Sequence, residues 1–530
     1  MKESLLHISN TADYNIKPDI NKNILENFIT EFSKNSNEHF AWDATSGGST
    51  RKSFFLKAAV VSQLIKARVK EQHVGIMLPA LQSTTLLIIA SYMAGKIPVM
   101  FNWTLGPKVV DHCANITHVN TIITADAFYD KVKDQLPESI ENRLFYLNRE
   151  VENIKPLMKV KGLLMSKFPK ALINTNIPKT AVILFTSGSE TMPKAVPLSH
   201  ENIIADLWGV LSHFNIRANS VFLSFLPPFH SFGFTVLSIL PLTTATRVAY
   251  TPNPTSIKEV VEVLKHTKAN NIMVTPTLLK MILSRATKED LSTVELVISG
   301  AESLHQDILK KFNKMTDNKS LIVEGYGITE CSPIVSLNPR DKQKLNSVGK
   351  RIKGLDLHII DLKTNEIVET GNDGMIVVNG KSIFNGYLDA DIEKPQIEIN
   401  GEKFYKTGDI GHLDDEDYLF ITGRLKRFIK IGGEMISMPF IEKILETKFG
   451  EEGRSVLAVE GCDKMHKPTV VLFSIIPLDI NEVNKYLREN GVSTIAKIRD
   501  IKIIDEIPLL GSGKTNYRLL KEMLKEETGA

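Results

Sequence analysis

The sequence predicts an α/β protein: a large N-terminal region of α/β subdomains plus a β-rich subdomain, followed by a small α+β C-terminal domain. Three observations carry this. Short apolar strands alternate with helix-spaced segments through roughly the first 300 residues, the signature of parallel βαβ units. Beyond Asn338 the texture changes to short strands and turns, as in DLHIIDL, GMIVVNG and DYLFITG. A last stretch from about Leu425 has strands and a helix of its own, and ~105 residues suffice for an independent domain. The chain has 530 residues, and ~150 residues per domain gives three or four compact units.

Taken in order, the first ~50 residues are polar and weakly patterned, apart from a helix over Ile24 to Phe32. Apolar residues from Ser53 to Lys70 recur at helical spacing, HVGIMLP reads as a strand ended by Pro79, a helix runs through Tyr92, and KIPVMFN is a second strand. The most hydrophobic stretch, Leu86 to Met93, falls short of the ~20 residues a membrane span needs and reads as a buried helix. The pattern repeats at TIITA, at RVAYT before a helix from Ile257 to His266, at NNIMVT before Leu278 to Arg285, and at VELVISG. One large α/β region past residue 300 is expected.

Between Val151 and Lys179, Lys155, Lys159, Lys161, Lys167 and Lys170 alternate with apolar residues. The segment fits a solvated surface helix and linker, the favoured reading, or a basic amphipathic element at 155–170 lying on anionic membrane. GRLKRFIKIGGEMIS reads as a charged linker that bends. After it come the strands VLAVEG and TVVLFSII and a helix from Ile480 to Asn490.

Composition narrows the class. Lys plus Arg number 64 against 61 Asp plus Glu, a net charge of +3, which excludes a strongly electrostatic nucleic-acid binder. Cys113, Cys331 and Cys462 lack metal-ligand spacing and form no disulfide framework, which fits the reducing cytoplasm. The N-terminus has no secretory apolar run, and no stretch is long enough to cross a membrane.

Five motifs can carry chemistry. In FTSGSETMPKAVPLSH a β-run ends in Thr186, Ser187, Gly188 and Ser189, with Lys194 following. TSGS alone is an ordinary hairpin loop. Extended to Pro-Lys it offers backbone N–H groups, hydroxyls and one cation, which a polyphosphate requires. Ser199 is placed to cap the next helix. GSGKT at 511–515 lacks the first glycine of a Walker loop, where Pro508 stands, so Lys514 is read as a cation on a mobile loop. EGYGITECSP presents Tyr326 for base stacking, with Thr329 and Glu330 for substrate and Mg²⁺, although Glu330 alone is more often a surface carboxylate. In YKTGDIG, Asp409 on a turn offers two acceptors to ribose hydroxyls. Arg424 in TGRLKR reads plainly as a linker charge.

The order TSGS…PK, YG-x-TE, TGD, GR-x-K, then GK near the end resembles the adenylate-forming ligases over roughly residues 40–520. That resemblance implies two steps: a carboxylate attacks the α-phosphorus of ATP to give an acyl-adenylate, then a thiol displaces AMP. It implies that Thr186 to Ser189 and Lys194 hold the β- and γ-phosphates, and that Gly300, Ala301 and Tyr326 form the adenine pocket. Thr329 would touch the α-phosphate, Glu330 hold Mg²⁺, and Asp409 and Arg424 bind ribose. Lys514 would bridge carboxylate and α-phosphate. The implied domains are 1–423 and 424–530, hinged near Lys426 so that the second swings between half-reactions, with Gly433 passing the pantetheine arm. Thr191 and Ala195 replace glycines usual in the family's phosphate loop, and Leu509-Leu510 replace its usual Arg-Thr.

LPPFHSFGF places His230 and aromatics where amino-acid-activating relatives carry Asp, so an apolar acid is favoured. Read together, SGSE…PK, LPPFHSFGFTV, ISGAESL, EGYGITECSPIVS, NGYL, GRLKRFIKIGGEMIS and PLLGSGKTN resemble acyl–acyl carrier protein synthetases, in particular the synthetase half of 2-acylglycerophosphoethanolamine acyltransferases. This implies a fatty acid and acyl carrier protein as partners. A fatty-acyl-CoA ligase is the main alternative, and a catalytically silent lipid- or membrane-associated scaffold the third reading.

Overall fold

The computed structural model describes residues 16–170, 176–186, 192–214, 216–217, 219–431, 434–451, 455–464, 467–490, 492, 496–510 and 514–528. Ser187, Gly188, Ser189, Thr191 and Gly433 lie outside them, as does the side chain of Lys426.

The expected α/β subdomains of the N-terminal region are built on two sheets. One runs, in spatial order, Leu144–Tyr146, Ile122–Thr124, His73–Ile76, Ile97–Met100, Thr180–Phe185 and Ala195–Ser199, parallel until its last pair. The other has nine strands among the described residues, with Leu321–Gly327, Leu296–Gly300, Asn271–Val274, Val221–Ser224 and Arg247–Tyr250 forming its parallel centre. The weakly patterned N-terminus contributes a hairpin to it: His39–Asp43 pairs in parallel with Arg247–Tyr250 and antiparallel with Gly47–Thr50. Its partner strand lies about two hundred residues away, so local pattern carries little sign of it. The helix Gln82–Met93 is buried on nearly every side, as expected of a helix apolar all round.

Helix starts follow from capping. Ser199 accepts from the Asn202 N–H at 3.0 Å while Asn202 Oδ1 accepts from the Ser199 N–H at 2.8 Å, a reciprocal box that begins the helix His200–His213. The basic segment forms the helix Pro156–Lys167, with Pro156 at its first turn. It packs on Arg51–Arg68 through Gly162, where a Cβ would meet the Val60 nitrogen and Cα at 2.8 Å. A mid-helix glycine costs about 1 kcal/mol; here it permits that approach.

A third, antiparallel sheet contains Leu355–Ile360, Gly374–Gly380, Gln396–Ile399, Glu402–Leu413 and Leu419–Arg424. Among the described residues of the stretch read as a bending linker, a short turn at Leu425–Arg427 leads into Phe428–Ile431, which pairs antiparallel with Glu434–Ser437. Beyond it, Leu457–Lys464, Lys467–Ser474 and Ile498–Ile503 form a small sheet with the helices Met438–Phe449, Ile480–Glu489 and Tyr517–Thr528. Ile436, Leu445, Val459, Leu472 and Leu487 belong to a core of their own, separate from the large cluster that runs through the two α/β sheets.

Candidate active site

The strands Thr180–Phe185 and Ala195–Ser199 pair antiparallel, and the loop between them is closed at its neck. The Thr186 N–H donates to the Lys194 carbonyl at 3.0 Å, and the Lys194 N–H to Thr186 Oγ1 at 3.1 Å. Ala195 is buried in strand pairing with Phe185, in ordinary extended backbone, so its Cβ joins the core rather than the loop.

Lys194 Nζ stands 4.6 Å from the centre of the Tyr387 ring, a cation–π contact. The Tyr387 hydroxyl donates to Glu330 Oε1 at 3.1 Å. Burial raises the Glu330 carboxyl above its ordinary value, opposed by Tyr387 and by the Arg424 charge. Sequence reasoning passed over Tyr387. NGYL was noted only as part of a resemblance, and a tyrosine in a turn-rich stretch carries no chemical signal of its own.

The segment 381–388 ties this region together. Asn202 Nδ2 donates to the carbonyls of Lys381 and Ile383 at 2.8 and 3.0 Å. Ser332 Oγ donates to the Ser382 carbonyl, the Phe384 N–H to the Glu330 carbonyl, and the Leu388 N–H to the Ala195 carbonyl. Ser231 Oγ lies 3.4 Å from Thr329 Oγ1, which brings the LPPFHSFGF segment to the Thr329–Cys331 turn.

Asp409 is not on a turn. It lies inside the twelve-residue strand Glu402–Leu413, 2% exposed and directly opposite Arg424. The turn-like signal came from Gly408, whose φ of +79° is accommodated within the strand. Arg424 Nε donates to Asp409 Oδ1 at 2.6 Å and the Tyr326 hydroxyl to Oδ2 at 2.5 Å. Asp409's charge raises the Arg424 pKa, so Arg424 is a strand-end ion-pair partner rather than a linker charge. Ala301, just past the strand that ends at Gly300, holds a φ of +74°. Such a backbone is costly for a residue with a Cβ and clusters at functional sites.

Lys514 arrives from the other end of the chain. The bridge between Leu509 and Thr515, and the Leu510 N–H donating to the Lys514 carbonyl at 2.6 Å, shape its loop. Burial, then the Arg424 charge, lowers Lys514 to about 8, while Glu302 and Asp409 oppose the shift. Burial, with the Lys514 charge, pushes His230 down to about 3, and His230 Nε2 is buried without a hydrogen-bond partner. The structure therefore brings together Lys194, Tyr387 and Glu330 in one group, and Tyr326, Asp409, Arg424, Lys514 and His230 in another.

Two participants escaped sequence reasoning. Glu302 Oε2 accepts from the Thr277 N–H at 3.1 Å and from its hydroxyl at 2.7 Å, and burial raises its carboxyl despite both bonds. Asp206 Oδ1 accepts from the Ile334 N–H at 2.9 Å, behind the Glu330 turn. Each is a single acid with no chemical motif around it in sequence, and only the fold puts them beside the site.

Among the described residues no cluster of three or more His, Cys, Asp or Glu side chains is placed to hold a metal ion. Mg²⁺ does not need one, since it keeps waters and binds through one or two carboxylates plus substrate phosphates. Glu330 beside Lys194 fits that donor set. The orphaned Nε2 of a neutral His230, facing a lysine, fits a carboxylate.

This fold is that of the adenylate-forming ligases. The ATP-bound MatB of Rhodopseudomonas palustris superposes with a TM-score of 0.79 over 96% of this chain and 100% of its own, at 20% sequence identity. Residues 58–388 match the family described as "AMP-binding enzyme", and the chain belongs to that family. Among curated relatives, 4-coumarate–CoA ligase 4 of Arabidopsis thaliana is 27% identical over 359 residues, 65% of this chain and 62% of the relative. A long-chain-fatty-acid–CoA ligase of Bacillus subtilis is 26% identical over 501 residues, 87% of this chain and 86% of the relative.

Proposed function

We propose that this enzyme activates a fatty acid with ATP to an acyl-adenylate and transfers the acyl group to the phosphopantetheine thiol of acyl carrier protein. The observation that carries the adenylation step is Lys514. This half-buried cation is held among His230, Glu302, Asp409 and Arg424 with no carboxylate at ion-pair distance among the described residues. A cation left without a counter-ion in that setting favours a bound anion beside it, and losing such a preorganised charge typically costs ~10²–10³ in rate.

In this reading Thr186 to Ser189 and Lys194 hold the β- and γ-phosphates, and Glu330 holds Mg²⁺, whose charge offsets that of the phosphates. Gly300, Ala301 and Tyr326 take adenine and Thr329 the α-phosphate. Asp409 and Arg424 take ribose; each Asp409 oxygen keeps a free lone pair beside its present bond. The boundary lies at 423/424, with Lys426 the hinge and Gly433 the passage for pantetheine. A fatty acid is supported by the neutral His230 between Phe229 and Phe232, with no acidic residue there to meet a substrate ammonium. Action in the cytoplasm is part of the same proposal.

CoA as acceptor is the second reading, favoured by the names of the two relatives. Trapping acyl-adenylate with hydroxylamine, then offering holo-carrier protein or CoA, separates them. Hydroxamate with a long-chain acid and thioester on the carrier protein is the expected result. Thioester on CoA alone replaces the acceptor, and no hydroxamate with any carboxylate removes the function.

A further inference from the structure

The helix Pro156–Lys167 is apolar on two opposite faces. One face, carrying Gly162, packs on Arg51–Arg68, where Met165 Sδ accepts from Gln63 Nε2 at 2.8 Å. The other points outward. Leu157, Val160, Leu164 and Phe168 are 64%, 52%, 50% and 65% exposed, and their spacing of i, i+3, i+7 and i+11 puts them on one stripe. A soluble surface helix turns such a stripe inward.

The charge around the stripe is one-sided. From 153 to 179 the chain has six lysines and no acidic residue. Lys155, Lys159, Lys161, Lys167 and Lys170 are exposed and have no carboxylate partner among the described residues. Some lysines elsewhere on the surface, such as Lys342 and Lys448, do find one.

We propose that this outward face docks on an anionic lipid bilayer. The apolar stripe would seat about 5–10 Å into the headgroup boundary with the lysines on lipid phosphates, an in-plane helix rather than a span. No helix among the described residues is long and apolar enough to cross a membrane. An acidic protein is the other chemistry that meets a basic apolar face, but topology disfavours a partner delivering a thiol to an acyl-adenylate held at the Lys194 loop. The chain from this helix enters the amino end of the strand Thr180–Phe185, and the loop to Lys194 leaves its carboxyl end. The Asn176 carbonyl lies beside Gly95, just ahead of the parallel strand Ile97–Met100, at that same amino end. The inference does not depend on which acid the enzyme activates.

The test is co-sedimentation of the full-length protein with vesicles, without ATP or acid. Phosphatidylcholine vesicles containing about one-third phosphatidylglycerol are compared with phosphatidylcholine alone. Salt-sensitive binding to the anionic vesicles only is expected. Each lysine is worth about fivefold in partition, so the triple variant Lys159→Glu, Lys161→Glu, Lys167→Glu should lose at least about a hundredfold. Leu157→Ser, Leu164→Ser, Phe168→Ser together should release the protein too, and Leu164→Trp should shift its emission to the blue on anionic vesicles. Hydroxamate formation by each variant reports that it is folded and tests the enzymatic reading separately. No binding by the parent protein, binding undiminished in both triple variants, or capture by an acidic carrier protein but not by vesicles would overturn the proposal.

Discussion

Replacing Asp206 by asparagine should make the protein relatively more stable the higher the pH. Asp206 is fully buried, with Oδ1 bonded to the Ile334 N–H and Oδ2 unpartnered. Burial pushes its carboxyl well above the ordinary value, with the Ile334 bond opposing. In the unfolded chain the group titrates near 3.9. Between that pH and its folded value the native state retains a proton that the unfolded state has released. Stability therefore falls with rising pH, by about 1.4 kcal/mol per unit, until the folded pKa is passed and the loss becomes constant. Asparagine keeps the acceptor for Ile334 and does not titrate. Its amide adds a pH-independent cost of about 1–3 kcal/mol if it finds no partner. The prediction is thus a slope: the stability difference, Asp206→Asn minus parent, climbs by about 1.4 kcal/mol per pH unit upward from pH ~4. Urea unfolding followed by tryptophan emission measures it, because Trp208 lies on the same helix and all three tryptophans precede residue 425. Other titrating groups cancel in the difference. Parallel stability profiles for the two proteins would show that Asp206 is ionised in the fold and refute the reasoning.

Other expectations follow from the site. Lys514 is held at about 8, so its cationic fraction falls above that pH. Adenylation should decline by about tenfold per pH unit there, while Lys514→Arg should show no such decline, and single-turnover pyrophosphate release reads both. Tyr387→Phe removes a hydrogen bond to a carboxylate worth about 1.5–3 kcal/mol. On the proposal that Glu330 holds Mg²⁺, it should raise the Mg²⁺ concentration needed for half-maximal rate by about tenfold or more in a metal titration while leaving the KM for the acid unchanged. On the proposal that Lys426 is the hinge, Lys426→Pro should spare hydroxamate formation and block thioester formation, because a fixed φ there opposes the proposed swing.

Much of the fold was legible because the buried parallel strands and their helices repeat at regular spacing. The helices from Ile24, Ile257 and Gln306 show how far local pattern reaches: the first two were read within a residue of their observed bounds, whereas the third went unread. What pattern could not give was sheet membership. A strand such as His39–Asp43 is assigned by a partner far along the chain, and the split into two sheets depends on which strands neighbour in space. The site divides the same way. Lys194, Glu330, Asp409, Arg424 and Lys514 stand in short ordered motifs, so sequence alone singles them out. Tyr387, Glu302 and Asp206 act through contacts made only after folding. Asp409 was found but misplaced, because Gly408 looks the same in a turn as in a strand that tolerates positive φ.

The segment 381–388 has a further consequence. It has no strand or helix of its own, yet it hydrogen-bonds to Ala195 in one α/β sheet, to Glu330 beside the other, and leads onward from the third. Lys194, Tyr387 and Glu330 therefore meet only when all three sheets have docked. Assembly of the site is in effect a checkpoint on folding: a chain with one sheet still loose cannot bring Lys194 to Glu330. With the roles proposed for Lys194 and Glu330, such a partly folded molecule would not consume nucleotide.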